Sequence, residues 1–130
     1  MPYDSAPRVL IIEDNPDLLR ILEELLAQDY EVLTARRGEE GVTLAQTVRP
    51  DLVLLDLQLP GMDGIEAGRW IKRDMPHVPI LVLTAMIGKG EPETVMRSGC
   101  CDAFMAKPAR LDAIRAKVAE LLSSGSRESQ

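Results

Sequence analysis

Glu13-Asp14, Asp56, Thr84 and Lys107 each stand directly behind a short apolar run: Val9–Ile12, Leu52–Leu55, Ile80–Leu83 and Ala103–Ala106. If these runs are parallel strands of one sheet, their ends share its carboxyl edge, where open α/β sheets bind ligands. Three carboxylates, one hydroxyl and one ammonium would then converge. A hard divalent cation such as Mg²⁺ takes one or two carboxylates together with water and phosphate oxygens. A carboxylate beside such an ion can attack phosphorus and form an acyl phosphate. Asp56, at the end of a wholly apolar run, is the candidate acceptor. The Thr84 hydroxyl can hydrogen-bond one phosphoryl oxygen, and the long Lys107 side chain can reach another oxygen or Asp56 itself. Pro108 allows a cis Lys107–Pro108 bond that would steer the lysine into the crevice.

Each of these residues has a plainer reading on its own. Glu13-Asp14 suits a solvated turn, Asp56 a strand-end turn, Thr84 an ordinary strand position and Lys107 a solvated surface. Their order and their shared placement at strand ends make the set specific.

The elements that must position them alternate strand and helix, which points to an α/β fold with a mainly parallel sheet. After Val9–Ile12, Asn15 is a good N-cap, Pro16 suits a first helical position, and the helix runs to about Gln28. Leu18, Ile21, Leu22, Leu25 and Leu26 predict its apolar stripe. Tyr30–Thr34 reads as a short edge strand and Gly38–Val48 as a helix. Leu52–Leu55 is apolar throughout, as in a central strand covered on both faces. The loop Leu59–Gly64 leads to a helix from about Ile65 to Asp74, with Trp70 and Ile71 inward. Val78–Leu83 is the next strand, Gly88-Lys89-Gly90 a flexible stretch, and Pro92–Ser98 a helix stopped by Gly99. Ala103–Ala106 precedes a closing amphipathic helix, Leu111–Leu122. The domain is expected over residues 8–122, between an N-terminal tail (1–7) and a frayed, serine-rich tail or linker start (123–130).

The 130 residues and 45% hydrophobic content suit one domain with a real core. A net charge of -6 argues against direct nucleic-acid binding and against an anionic membrane surface. No apolar run is long enough to span a bilayer, and the first residues do not resemble a signal peptide, so a cytoplasmic location is expected. Cys100 and Cys101 are adjacent, rarely a disulfide geometry, and two ligands are too few for structural zinc. They read as small packed thiols.

With these residues assembled, the chain resembles the receiver domain of two-component response regulators from about Arg8 to Leu122. The resemblance is carried by Val9–Asn15, by Pro50–Gly64 around Asp56, by Thr84-Ala85 and by Lys107-Pro108. It implies a flavodoxin-like, doubly wound fold of five parallel strands in the order 2-1-3-4-5, with helices on both faces. It implies that Asp56 takes a phosphoryl group from the phosphohistidine of a sensor histidine kinase or histidine phosphotransferase. By the same likeness, Asp14 and Asp56 bind Mg²⁺ directly, Glu13 does so mainly through water, and the Gln58 backbone carbonyl is a further ligand. Thr84 and Lys107 would hold the phosphoryl oxygens. Phe104 falls on the aromatic position of the family's switch, in which the Thr84 hydroxyl moves inward and the ring follows, changing the face of the fourth helix, fifth strand and fifth helix. The readers of that face would be a downstream protein target or output domain, and a homodimer is admissible. Such a chain is a signalling receiver that supports its own Mg²⁺-dependent phosphorylation and dephosphorylation, not an enzyme with turnover. Gly99–Phe104 is one residue longer than the family's usual spacing, which predicts a bulge at the start of the fifth strand.

Three other readings compete. A phosphorylation-independent interaction module on the same fold would usually lack one of the acidic pair, the acceptor or the lysine, and all are present. A haloacid-dehalogenase-type phosphatase needs a second Asp two residues after the nucleophile, where this chain has Gln58. A flavodoxin is disfavoured by the acidic first strand–helix turn, where a phosphate needs amide and hydroxyl donors.

Overall fold

The computed structural model describes residues 6–85 and 92–128, with 125–128 described by their backbone alone. Met86 and the Gly88-Lys89-Gly90 stretch lie outside the described residues. The chain alternates strictly: β1 (Arg8–Ile12), α1 (Pro16–Ala27), β2 (Glu31–Ala35), α2 (Gly38–Val48), β3 (Leu52–Leu55), α3 (Gly64–Asp74), β4 (Ile80–Thr84), α4 (Pro92–Arg97), β5 (Ala103–Ala106) and α5 (Leu111–Glu128). The five strands form one parallel sheet in the order β2-β1-β3-β4-β5.

Strand periodicity divides the core in two, because successive side chains leave opposite faces of the sheet. Leu10, Ile12, Val53, Leu55, Ile80 and Val82 pack under α2, α3 and α4. Val9, Ile11, Leu52, Leu54, Leu81 and Leu83 pack under α1 and α5. Both faces are covered, so β3 is buried at every position. Each aliphatic side chain buried this way contributes about 1.5–3 kcal/mol.

Asn15 caps α1, its Oδ1 accepting from the amides of Asp17 (2.9 Å) and Leu18 (3.1 Å). The buried stripe of α1 is Leu19, Leu22 and Leu26, while Leu18 and Leu25 flank it and Ile21 is 44% exposed. The leucine-rich run Leu18–Leu26 contains two overlapping apolar stripes, and only docking on β1 and β2 selects the one through Leu19.

Trp70 is also a correction. It is 43% exposed, and the Arg73 guanidinium stacks 4.7 Å above its ring. Ala67, Gly68 and Ile71 face the sheet, which turns Trp70 about a quarter of a turn away, toward solvent. Trp70→Ala is therefore expected to change stability by no more than about 1 kcal/mol, read by circular dichroism in a urea titration.

The last helix continues to Glu128, past the predicted end at Leu122. The apolar stripe stops near Leu122, but no proline interrupts residues 123–128 and the backbone stays helical.

The expected bulge at the start of β5 is absent. Leu81–Thr84 pairs with Ala103–Ala106 in unbroken register. The added residue is absorbed in the preceding turn, where Gly99 has φ +82 and both Cys100 and Cys101 are buried. Asp102 pins the end of that turn. Its amide donates to the Ile80 carbonyl (2.8 Å), and its carboxylate accepts from the Ile80 amide (2.8 Å) and Lys72 Nζ (2.9 Å).

Candidate functional site

The β1–β3 register pairs Ile12 with Leu55, so Glu13 and Asp56 leave adjacent strands side by side. Their backbones are fixed by the Asp56 amide donating to Ile12 O and the Glu13 amide donating to Ala35 O, both 3.0 Å. On the other side of Asp56, β4 and β5 end together, and the Lys107 amide donates to Thr84 O at 2.9 Å. The Lys107–Pro108 peptide is cis.

The loop after Asp56 folds back onto the start of α3. The Gly64 amide donates to Leu57 O (3.1 Å), and a Cβ on Gly64 would collide with Leu57 Cα and lie 2.6 Å from Asp56 O. Only glycine allows the two backbones to meet so closely.

Lys107 Nζ donates to Glu13 Oε1 (2.9 Å) and to Asp56 Oδ2 (3.0 Å). The remaining oxygens are held by backbone amides, Glu13 Oε2 by Asn15 N and Asp56 Oδ1 by Gln58 N, each at 3.0 Å. Glu13 and Asp56 are only 3% and 5% exposed. Burial pushes the Glu13 carboxyl above its usual range, and the Asp56 charge adds to that. The Asn15 amide and the Lys107 ammonium offset only part of the rise. Burial alone would lower the Lys107 pKa, but its hydrogen bonds to Glu13 and Asp56, and their charges, hold it above the ordinary lysine value.

Thr84 is fully buried, and its Oγ1 has no hydrogen-bond partner among the described residues. A buried hydroxyl left unsatisfied costs about 1–3 kcal/mol.

Asp14 follows Glu13 but faces solvent, and its carbonyl accepts from Arg36 Nη2 at 3.4 Å. Among the described residues, no three carboxyl, imidazole or thiol side chains are gathered as a metal-binding cluster. Glu13 and Asp56 converge on the ammonium instead. Gln58 is exposed at the site's rim. Phe104 is partly buried and packs against the core cluster shared with α2, α3 and α4.

The structure thus brings Glu13, Asp56 and Lys107 into direct contact. Thr84 is joined to Lys107 through the backbone, Asp14 and Gln58 lie at the edge, and Phe104 lies in the core. Sequence reasoning missed the Asn15 and Gln58 amides as carboxylate clamps and Gly64 as the point of close approach. The repeated glycines of Gly61-Met62-Asp63-Gly64 were the available signal for the last.

The fold and this edge define a doubly wound α/β domain with a buried acidic pocket held by one lysine. The sequence profile of the response regulator receiver domain matches residues 9–119. The chain belongs to the response regulator receiver domain family. The polar-differentiation response regulator DivK of Brucella anthropi is 40% identical over 103 residues, covering 77% of this chain and 83% of that protein. A CheY-like receiver domain of Methanospirillum hungatei superposes with a TM-score of 0.87 at 26% identity, covering 95% of this chain and 99% of that one. The receiver domain of a Pseudomonas aeruginosa sensor histidine kinase, solved with magnesium coordinated in its active-site cleft, gives 0.82 at 29% identity, covering 92% and 99%.

Proposed function

We propose that Asp56 accepts a phosphoryl group from a phosphohistidine on a sensor histidine kinase or histidine phosphotransferase. An Asp56 oxygen attacks phosphorus, the phosphorus–nitrogen bond breaks, and the histidine leaves with a proton from its surroundings. The observation that carries this reading is the buried, unpartnered Thr84 hydroxyl beside a lysine-bridged carboxylate pair. A phosphoryl oxygen is the acceptor that this hydroxyl lacks, and Lys107 can follow the transferred charge.

The residues fit a divalent cation as well. Two buried carboxylates share one ammonium, with the exposed Asp14 carboxylate next in sequence, and Mg²⁺ needs only one or two carboxylates beside water and phosphate. Asp14, Asp56 and the Gln58 carbonyl would hold the ion directly, and Glu13 through water. When bound, Mg²⁺ neutralises charge gathering on the phosphoryl oxygens. The Pseudomonas aeruginosa receiver, with magnesium in its cleft, supports the assignment.

Leu18, Leu83, Pro108, Ala109, Leu111 and Ile114 line an apolar hollow beside Lys107. A partner helix seated there would bring its side chains to the acceptor. Phosphorylation then draws Thr84 inward, Phe104 follows, and the α4-β5-α5 face changes for a downstream target, an output domain or a homodimer partner. The chain acts as a signalling receiver in the cytoplasm. No helix among the described residues is long and apolar enough to cross a membrane.

The test is Thr84→Val. Replacing an unsatisfied buried hydroxyl by an isosteric methyl should leave stability unchanged or raise it by about 1 kcal/mol. The same variant should lose most of the amide shift changes that beryllofluoride with Mg²⁺ produces at Phe104 in the wild type. A variant that responds like the wild type removes the hydroxyl from the site's chemistry.

A further inference from the structure

Sequence alone offered two cysteine ligands, too few for structural zinc. The fold supplies a third sulfur. Cys101 Sγ donates to Met96 Sδ at 3.5 Å, and Cys100 Sγ donates to the Val95 carbonyl at 3.7 Å. Both consecutive thiols therefore turn toward the same turn of α4, around Val95 and Met96. Cys100 is fully buried, Cys101 is 7% exposed, and Met96, in contact with Cys101, is 36% exposed.

We propose that Cys100, Cys101 and Met96 form a three-sulfur site for a soft monovalent cation of the Cu(I) type. Thiolate and thioether together select such ions over the hard cation suited to the acidic edge. Two sulfurs bound to one ion at about 2.3 Å each lie about 4 Å apart at a trigonal angle, so the observed Sγ–Sδ separation needs only a small adjustment. Zinc is a poorer match, because closed zinc sites take four nitrogen or thiolate ligands. A disulfide is a poorer match too, because adjacent cysteines seldom reach its geometry. Coordination releases the thiol protons to solvent and requires no oxidant. The ion enters from the exposed side, past the flexible Met96 side chain, and ties α4 to the turn before β5. The site is independent of the phosphoacceptor reading.

The experiment is an anaerobic titration of the reduced full chain with Cu(I) against bathocuproine disulfonate, followed by the colour of the chelator complex. The wild type is expected to withdraw one equivalent. Cys100→Ala with Cys101→Ala should withdraw none. Met96→Leu, at a partly exposed position that keeps the fold, should compete about tenfold more weakly. Circular dichroism establishes that each variant is folded before titration. The site is overturned if the double variant withdraws as much copper as the wild type, or if Met96→Leu competes equally well.

Discussion

Asp56→Asn should abolish phosphoryl uptake from acetyl phosphate and Mg²⁺, read as the loss of the phosphorylated mass of the intact protein. An amide is not a nucleophile toward phosphorus, and no other carboxylate in the pocket has the same placement. Glu13 leaves the neighbouring strand β1 rather than β3, and Asp14 lies outside the buried pair. The variant should nevertheless fold. The Asn carbonyl can still accept from the Gln58 amide, and Lys107 keeps Glu13 as its partner. One like-charge repulsion disappears, and one charge-assisted hydrogen bond disappears with it. These changes oppose each other, so stability should stay within about 1 kcal/mol of the wild type. Because the Asp56 charge helps to raise the Glu13 carboxyl, the variant should also titrate Glu13 at a lower pH, visible in its side-chain carbon shift. Continued phosphorylation of Asp56→Asn would move the acceptor to another residue.

The strands were legible in the sequence because they are extreme. A run such as Leu52–Leu55, apolar at every position, has no place except the middle of a doubly covered sheet. The polar residue ending each run was legible for the same reason: the burial pattern breaks there. Helix faces were harder. In α1 the apolar residues outnumber what one stripe needs, and the choice of Leu19 over Ile21 depends on the distance to β1 and β2, which a local pattern does not contain. In α3 the bulk of Trp70 argued for burial, but the sheet-facing side of that helix is built from Ala67 and Gly68, with Gly68 so close to the Cys100 backbone that a Cβ would collide with it. A small-residue face brings the helix in and leaves the large ring outside.

The site divides in the same way. Residue types and order revealed which groups meet at the edge, but not which of them are already paired. Asp14 and Glu13 are neighbours with similar chemistry, yet Glu13 points inward to Lys107 while Asp14 remains in solvent. That difference follows from strand alternation carried one residue beyond β1. The backbone clamps on the carboxylates come from amides of Asn15 and Gln58, groups that every residue possesses and that therefore leave no mark in a sequence.

Lys107→Ala should destabilise the protein by about 2–3 kcal/mol at pH 7, measured by urea denaturation. Removing one member of a buried ion pair usually costs somewhat more, but the Lys107 side chain retains 20% exposure and water can enter where it leaves. The loss arises from Glu13 and Asp56, two buried carboxylates left facing each other. It should shrink under either of two treatments. The first is acid. A carboxyl whose pKa is raised on folding favours the folded state below its unfolded value, near 4.5 for Glu13, and that contribution is lost as pH rises through the folded value. Without the ammonium the folded value climbs further, so the gap between variant and wild type should close as pH falls through it. The ammonium's own contribution is fully present below 10.5 and disappears only as pH rises through its higher folded value, so the wild type should show no such change between neutral and mildly alkaline pH. The second treatment is Mg²⁺, which stabilises the native state by mass action and should stabilise the variant more than the wild type, because no ammonium competes for the carboxylates. A variant as stable as the wild type at pH 7, with the same response to Mg²⁺, would mean that the two acids do not feel each other. The charge balance on which phosphoryl acceptance depends would then have to come from elsewhere in the fold.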